Sequence, residues 1–242
     1  MLGLVCYREA GEKNGTRTLC GVRFCTVYVL RGVGLRARLS ARRAAKYLRK
    51  RRVQRAVFPC GFSCADIFAC RGILPPGELT LRACKAAEII CRAMAQLHLS
   101  PSACIALVSS RPSGTLEHAA LSLVRSVRYL TLCTPSGERL GRMLRWDCGV
   151  SAHIAVQDEM LCADLAVSFD DAAPRCICPV LPLGDEALGV TYDDALLPLG
   201  TDAWERQQLL CALFAAGALR AEEITVKTVK FPVQTPPNAN FP

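Results

Sequence analysis

Long apolar runs are missing from this 242-residue chain. The longest, Phe24 to Leu30 and Leu209 to Leu219, fall short of the roughly 18 to 20 residues a membrane-spanning helix needs, so no span is expected. The opening MLGLVCYREAGEK has no basic segment leading into an apolar one and a small-residue cleavage site, which points to a cytoplasmic, soluble protein. Also absent are a Gly-x-Ser-x-Gly elbow, a phosphate-loop lysine motif and His-Glu-x-x-His, so three common hydrolytic chemistries have no signature here. No tandem repeat of solenoid type is present. What the chain does have is 51% apolar residues, enough for one large core or two smaller ones and too many for wholesale disorder.

Cysteine is abundant, but neither disulfides nor zinc accounts for its pattern. Fifteen is an odd number in a large chain without an export signal, which argues against a disulfide framework and for reduced, mostly core residues. Cys60, Cys64, Cys70, Cys176 and Cys178 include no Cys-x-x-Cys pair, and His98, His118 and His153 are scattered singly. No zinc site is expected from such spacing.

Charge is distributed unevenly. Residues 1–100 hold 19 Lys and Arg against 5 Asp and Glu, whereas residues 101–242 hold 11 against 16. Arg36 to Arg55 alone contains ten basic residues and no acid, and Asp158 to Glu205 contains eleven acids with Arg175 as its one base. Such asymmetry predicts an anionic partner at one end, or two copies of the chain meeting head to tail as a homo-oligomer. With 3.6 residues per turn, Ala37, Ala41, Ala44, Ala45 and Leu48 share one stripe of the basic helix, leaving Arg36, Arg43, Lys46 and Lys50 opposite. The stripe is narrow, suits docking on a sheet, and lacks the bulky residues of a membrane-surface helix, so no membrane partner is expected. Nucleic acid would find the charge it needs but only Tyr47 for stacking, giving non-specific, salt-sensitive binding to the helix region 36–55. A plain solvated face is the alternative.

The organisation reads as α/β. Leu2–Tyr7 and Thr18–Leu30 are β-rich around Asn14-Gly15, a turn signal that predicts an N-terminal antiparallel hairpin. Helix is expected over about 35–52, 63–70 and 78–97, with a short strand at 55–58. After Pro101, apolar strands at 103–108, 129–133, 150–156 and 164–169 alternate with helices at 115–127 and 138–146. That alternation predicts crossovers and a mainly parallel sheet with helices on both faces. A helix at 204–216 and a strand at 224–231 follow. The expected division is a basic α/β lobe at 1–100, a Rossmann-like lobe at 101–231 and a Pro-rich tail at 232–242.

Ala103 to Asp171 resembles the Rossmann-like nucleotide-binding half of the shikimate dehydrogenase and glutamyl-tRNA reductase type, in element order and in YLTLCTPSGERLGRML. The resemblance implies a Rossmann-like fold and an NAD(P) cofactor. Where that type carries its glycine fingerprint, this chain reads Ser109-Ser110-Arg111-Pro112-Ser113-Gly114, and Thr134-Pro135 stands where an acid would meet the ribose. A better textual match lies earlier: Gly32, Gly34 and Ala37 fit Gly-x-Gly-x-x-Ala between an apparent strand and a helix. Phosphate oxygens there would meet a helix N-terminus and the guanidinium groups of Arg36 and Arg38, with Arg42, Arg43, Lys46 and Lys50 extending the anion-binding row. A glycine-eased strand exit explains the same glycines. Asp170-Asp171 and Asp193-Asp194 are the carboxylate pairs that would hold Mg²⁺, or else cap turns, and no metal is expected. The expected function is a non-catalytic or degenerate Rossmann-like module that binds an anionic ligand or an acidic protein surface. An NAD(P)-dependent oxidoreductase and a nucleic-acid-associated protein are the alternatives.

Overall fold

The computed structural model describes residues 1–9, 12–156, 159–171, 173–185, 188–198, 200–201 and 203–230. The Pro-rich tail expected at 232–242 lies outside the described residues. Two compact units share the chain: Met1–Leu81 with Asp193–Thr225, and Arg82–Tyr192 with, among the described residues, Val226–Lys230. Residues 82–100 thus belong with the segment after Pro101, and residues 193–225 return to the N-terminal unit. No helix among the described residues is long and apolar enough to cross a membrane.

In the first unit, β1 (Leu2–Tyr7) and β3 (Val22–Val29) run parallel, Leu2 beside Phe24 and Tyr7 beside Val29. The short β4 (Ala56–Val57) adds a parallel strand on the other side of β1, while β2 (Gly15–Leu19) joins β3 antiparallel, giving the order β2-β3-β1-β4. The N-terminal hairpin is therefore present, but its arms are β2 and β3 rather than the first two β-rich runs. Its two-residue turn is Cys20-Gly21, with φ of 48° and 76°, the paired positive values of a type I′ turn. The expected turn at Asn14-Gly15 does not form: Asn14 Oδ1 instead accepts the Tyr28 N–H at 3.0 Å, and Gly15 opens β2. Side-chain capture of a backbone donor outcompetes the local turn preference.

Helix α1 (Leu35–Lys50) follows β3 and packs Ala37, Ala41, Ala44, Ala45 and Leu48 inward. Its C-terminal end comes so close to β1 that a Cβ on Gly3 would lie 3.2 Å from Leu48 Cδ1 and 2.9 Å from Ala56 Cβ. Helix α2 (Ala65–Ala69) packs on α1, and Phe68 meets Phe58 and Phe62 edge to face at 5.3 and 5.6 Å. From the returning segment, Trp204 donates its indole N–H to Val5 O at 2.9 Å, and α7 (Arg206–Ala215) packs on β4. The expected helix over 78–97 is two helices, α3 (Leu79–Cys84) and α4 (Ala86–Gln96). The break falls at Lys85, φ −100° and ψ 10°, where neither Gly nor Pro marks it.

The second unit holds a five-stranded, wholly parallel sheet, ordered β7-β6-β5-β8-β9. Its strands are β5 (Cys104–Val108), β6 (Tyr129–Cys133), β7 (His153–Ile154), β8 (Leu165–Ser168) and β9 (Val180–Pro182). In order of appearance this is 3-2-1-4-5, the Rossmann-like arrangement, with the order of strand addition switching sides between β5 and β8 while the strands stay parallel. Helices α5 (Gly114–Leu123) and α6 (Gly137–Cys148) form the first two crossovers and touch one another, and α4 packs on α5. The fold class expected from alternating apolar segments is thus the one observed. The last strand, β11 (Val226–Lys230), does not extend that sheet; it pairs antiparallel with β10 (Gly189–Tyr192) in a separate ribbon against α4.

None of the fifteen cysteines is in a disulfide. Only Cys6, Cys25, Cys64, Cys133 and Cys211 are buried, while Cys20, Cys60, Cys70, Cys84, Cys148 and Cys162 are exposed. The expectation that most serve as core residues is thereby corrected. Cys84 and Cys91 have heptad spacing, but the helix is broken between them and neither is buried.

Candidate functional site

Two strand-to-helix turns, one in each unit, carry the two glycine or serine loops singled out from sequence. In the first unit the turn runs from β3 through Gly32-Val33-Gly34 into α1. Gly32 has φ 115°, a conformation that side chains rarely adopt, whereas Gly34, φ −71° and ψ 172°, sits in extended backbone open to any residue. The turn is tied down from one side. Ser63 Oγ donates to Gly32 O at 3.1 Å, Leu30 N–H donates to Ser40 Oγ at 3.2 Å, and the Arg31 guanidinium lies over the Tyr7 ring at 5.2 Å. Burial pushes the Tyr7 phenol above its ordinary pKa, and Arg31 opposes the shift. Elsewhere the turn is open: a Cβ on Gly32 or Gly34 would meet no atom of the described residues within 4 Å. Ala37 is buried as part of the packed stripe.

Helix α1 has no acid in its first turn and no side-chain cap from Gly34, and it places Arg36 and Arg38 beside the positive end of the helix dipole. Arg36, Arg42, Arg43, Lys46, Arg49 and Lys50 are all exposed. Of the six basic residues singled out as anion ligands, Arg38 makes a salt bridge among the described residues, Nη2 to Asp66 Oδ2 at 3.1 Å. No described carboxylate forms an ion pair with Arg36, Arg42, Arg43, Lys46 or Lys50. The one aromatic on the helix, Tyr47, is half-buried and covered by Arg51 at 4.5 Å, which takes up a face a base would stack on.

In the second unit the turn after β5 sits at the reversal of strand order, where ligands of open α/β sheets gather. Asp170, from beyond β8, occupies it. Its Oδ2 accepts Ser110 N–H at 2.8 Å and Ser110 Oγ–H at 2.8 Å, and lies 3.0 Å from Ser109 Oγ. Ser113 Oγ caps α5 by accepting Leu116 N–H at 3.3 Å. A carboxylate thus takes the backbone donor that a fingerprint loop would turn toward a pyrophosphate, and it carries the sign that repels one.

The four aspartates divide between the units, and Asp170, Asp193 and Asp194 make contacts that brace turns. Asp170 does so as described, and Asp171 is exposed. In the first unit Asp193 Oδ1 accepts Ala195 N–H at 3.1 Å, and Asp194 is paired with Arg206. No group of three metal-ligating side chains occurs among the described residues. Sequence reasoning missed the Asp170 brace, which joins residues 60 positions apart. Nor did it foresee that the hydroxyl oxygens of Thr134 and Ser136 are buried near the start of α6 without a hydrogen-bond partner among the described residues. Beside α6, a cleft of about 350 Å³ is lined by Glu138, Gly141, Arg142, Arg145, Ala152 and Ile154.

No protein-family model and no curated protein matches the chain. Among solved structures it is similar to a ligand-free 5-ketofructose reductase of Gluconobacter sp. strain CHM43, at 11% identity and a TM-score of 0.28, over 63% of this chain and 64% of that one. A shikimate 5-dehydrogenase-like protein matches at 12% identity and 0.26, over 70% and 65%. A chorismate mutase/shikimate 5-dehydrogenase fusion protein from Clostridium acetobutylicum matches at 9% and 0.25, over 70% and 67%. The chain therefore spans just under two thirds of the first two proteins it resembles. A likeness this weak assigns the chain no activity.

Proposed function

We propose that the chain is a degenerate Rossmann-like module that binds an anionic partner through the exposed face of α1. One observation carries this reading: Arg36, Arg42, Arg43, Lys46 and Lys50 share one exposed helix and no described carboxylate pairs with them. Structural cations on a scaffold helix are commonly interleaved with acids at i, i+3 or i, i+4; here none is present, and two arginines stand against the helix dipole. The carboxylate of Asp170 in the β5–α5 turn supports the degenerate part of the reading. Titration with heparin and with single-stranded DNA in rising salt tests it. Affinity should fall steeply with salt, with a log–log slope of about −0.7 to −0.9 per phosphate contact. The variant R42Q/R43Q/K46Q/K50Q should lose at least about tenfold in low salt and flatten the slope. Binding insensitive to both changes overturns the proposal, as does reproducible turnover of acid, aldehyde or amino-acid substrates with NAD(P)H.

The open space at Gly32 and Gly34 beside Arg36 favours one second reading, an NAD(P)-dependent oxidoreductase that admits a pyrophosphate there. NADP⁺ at 100 times its dissociation constant would stabilise the protein by about 2.7 kcal/mol. An unchanged Tm at millimolar cofactor removes this reading.

A further inference from the structure

The outer side of α1 is not purely polar. Leu35 is 82% exposed and Leu39, one turn on, is 51% exposed; Val33 in the open turn is 76% and Leu30 40% exposed. Leu35 and Leu39 project from the side opposite the alanine stripe, and Arg42, Arg43 and Lys46 continue the same side toward the C-terminus. The bare alanine stripe, whose small residues suit no membrane surface, is the face packed into the protein. The apolar residues that matter lie on the other side. The turn beside them is open as well: a Cβ on Gly32 or Gly34 would meet no described atom within 4 Å, and Val33 between them is exposed.

We propose that this tip docks on an anionic lipid bilayer surface, with Val33, Leu35 and Leu39 entering the interfacial layer and Arg36, Arg42, Arg43 and Lys46 lying against lipid phosphates. The inference rests on the reading of α1 as an anion-binding face and names its partner. Charge complementarity selects an anionic surface, and the exposed side chains select one with an apolar phase. A nucleic acid supplies phosphates but leaves three apolar side chains in water, and the aromatic that would recruit its bases is covered by Arg51. A protein partner would have to provide a hollow matched to an exposed turn, whereas a fluid bilayer conforms to it. The pairing of a shallow apolar anchor with several cations is what reversible surface attachment requires, since neither alone holds a protein stably on a membrane.

Co-sedimentation of the full chain with vesicles tests this, comparing pure phosphatidylcholine with vesicles in which roughly a third of the lipid is phosphatidylglycerol. Partitioning should be strong to the anionic vesicles, negligible to the neutral ones, and weakened by salt. The variant V33S/L35S/L39S changes only exposed positions; it should reduce partitioning about tenfold or more while leaving heparin retention unchanged. The variant R42Q/R43Q/K46Q/K50Q should lose both. Vesicle binding that survives the serine substitutions overturns the docking mode. Heparin or DNA binding by a protein that ignores anionic vesicles overturns the lipid assignment and leaves the anion-binding function standing. Failure to bind any of these overturns both.

Discussion

The turn from β3 into α1 and the turn from β5 into α5 follow the same plan: a parallel strand, five connecting residues, and a helix that packs back. They are finished with opposite chemistry. The first has glycines, an uncapped helix, arginines in its opening turn, and empty space alongside. The second has serines, a capped helix, and an aspartate seated on its backbone N–H. Positive potential is left exposed in one unit and negative charge is placed on the equivalent backbone donors in the other. A shared topology therefore does not transfer a ligand site from one turn to the next, because the site depends on which charge the loop itself satisfies.

The largest expected effect tests whether the two scaffolds are equally dependent on packing. Phe68→Ala empties the aromatic cluster under α1 and should cost about 3–5 kcal/mol, against about 2–5 kcal/mol for Leu107→Ala in β5, read by urea denaturation. Equal loss of heparin binding after Leu107→Ala, under conditions where the protein stays folded, would contradict the assignment of anion binding to the first unit.

Alkaline pH should affect both units alike. Burial pushes the Cys6 thiol from an ordinary 9.0 up to about 11, and burial together with Cys176 pushes Cys178 up to about 12. The folded chain then holds a proton that the unfolded chain releases above pH about 9, so stability is intact below that point and falls as pH rises toward the folded values. The slope is about 1.4 kcal/mol per pH unit for Cys6, and Cys6→Ala should flatten it in pH-dependent unfolding.

Asp170→Ala should destabilise the β5–α5 turn by about 1–3 kcal/mol and leave heparin affinity unchanged, since the cations lie in the other unit. A change in affinity would link the two turns. The smallest effect comes from making the first turn imitate the second. Gly34 has the extended backbone of a capping residue and open space around it, so Gly34→Asp should cap α1 and stabilise by about 0.5 kcal/mol. The same carboxylate should weaken heparin binding several-fold, measurable by isothermal titration.

Much of the fold could be read from residue order. The alternation of apolar strands and amphipathic helices after Pro101 yielded the parallel sheet, and the alanine spacing in α1 identified its buried face. The hairpin was foreseen but its turn was not: Asn14-Gly15 carries the stronger local signal, yet Asn14 is drawn off by Tyr28 N–H and the chain reverses at Cys20-Gly21, a pair with no such signature. The return of residues 193–225 to the first unit had no local mark, nor did the pairing of β10 with β11 or the hydrogen bond from Trp204 to Val5. Of the candidate site, the cations were legible as a row. Arg38's partner Asp66 and the aspartate that fills the second turn were not, since each pairing crosses 28 or 60 residues of chain.

Residue order alone settled periodicity, composition and the placement of charge along the chain, because these depend on neighbours a few positions apart. Folding in three dimensions settled which strands lie side by side, which carboxylate reaches which N–H, and whether a leucine on α1 ends in core or in water. Those outcomes are contests between distant groups for the same hydrogen-bond donors and the same dry space, and a contest of that kind has no winner until the competitors meet.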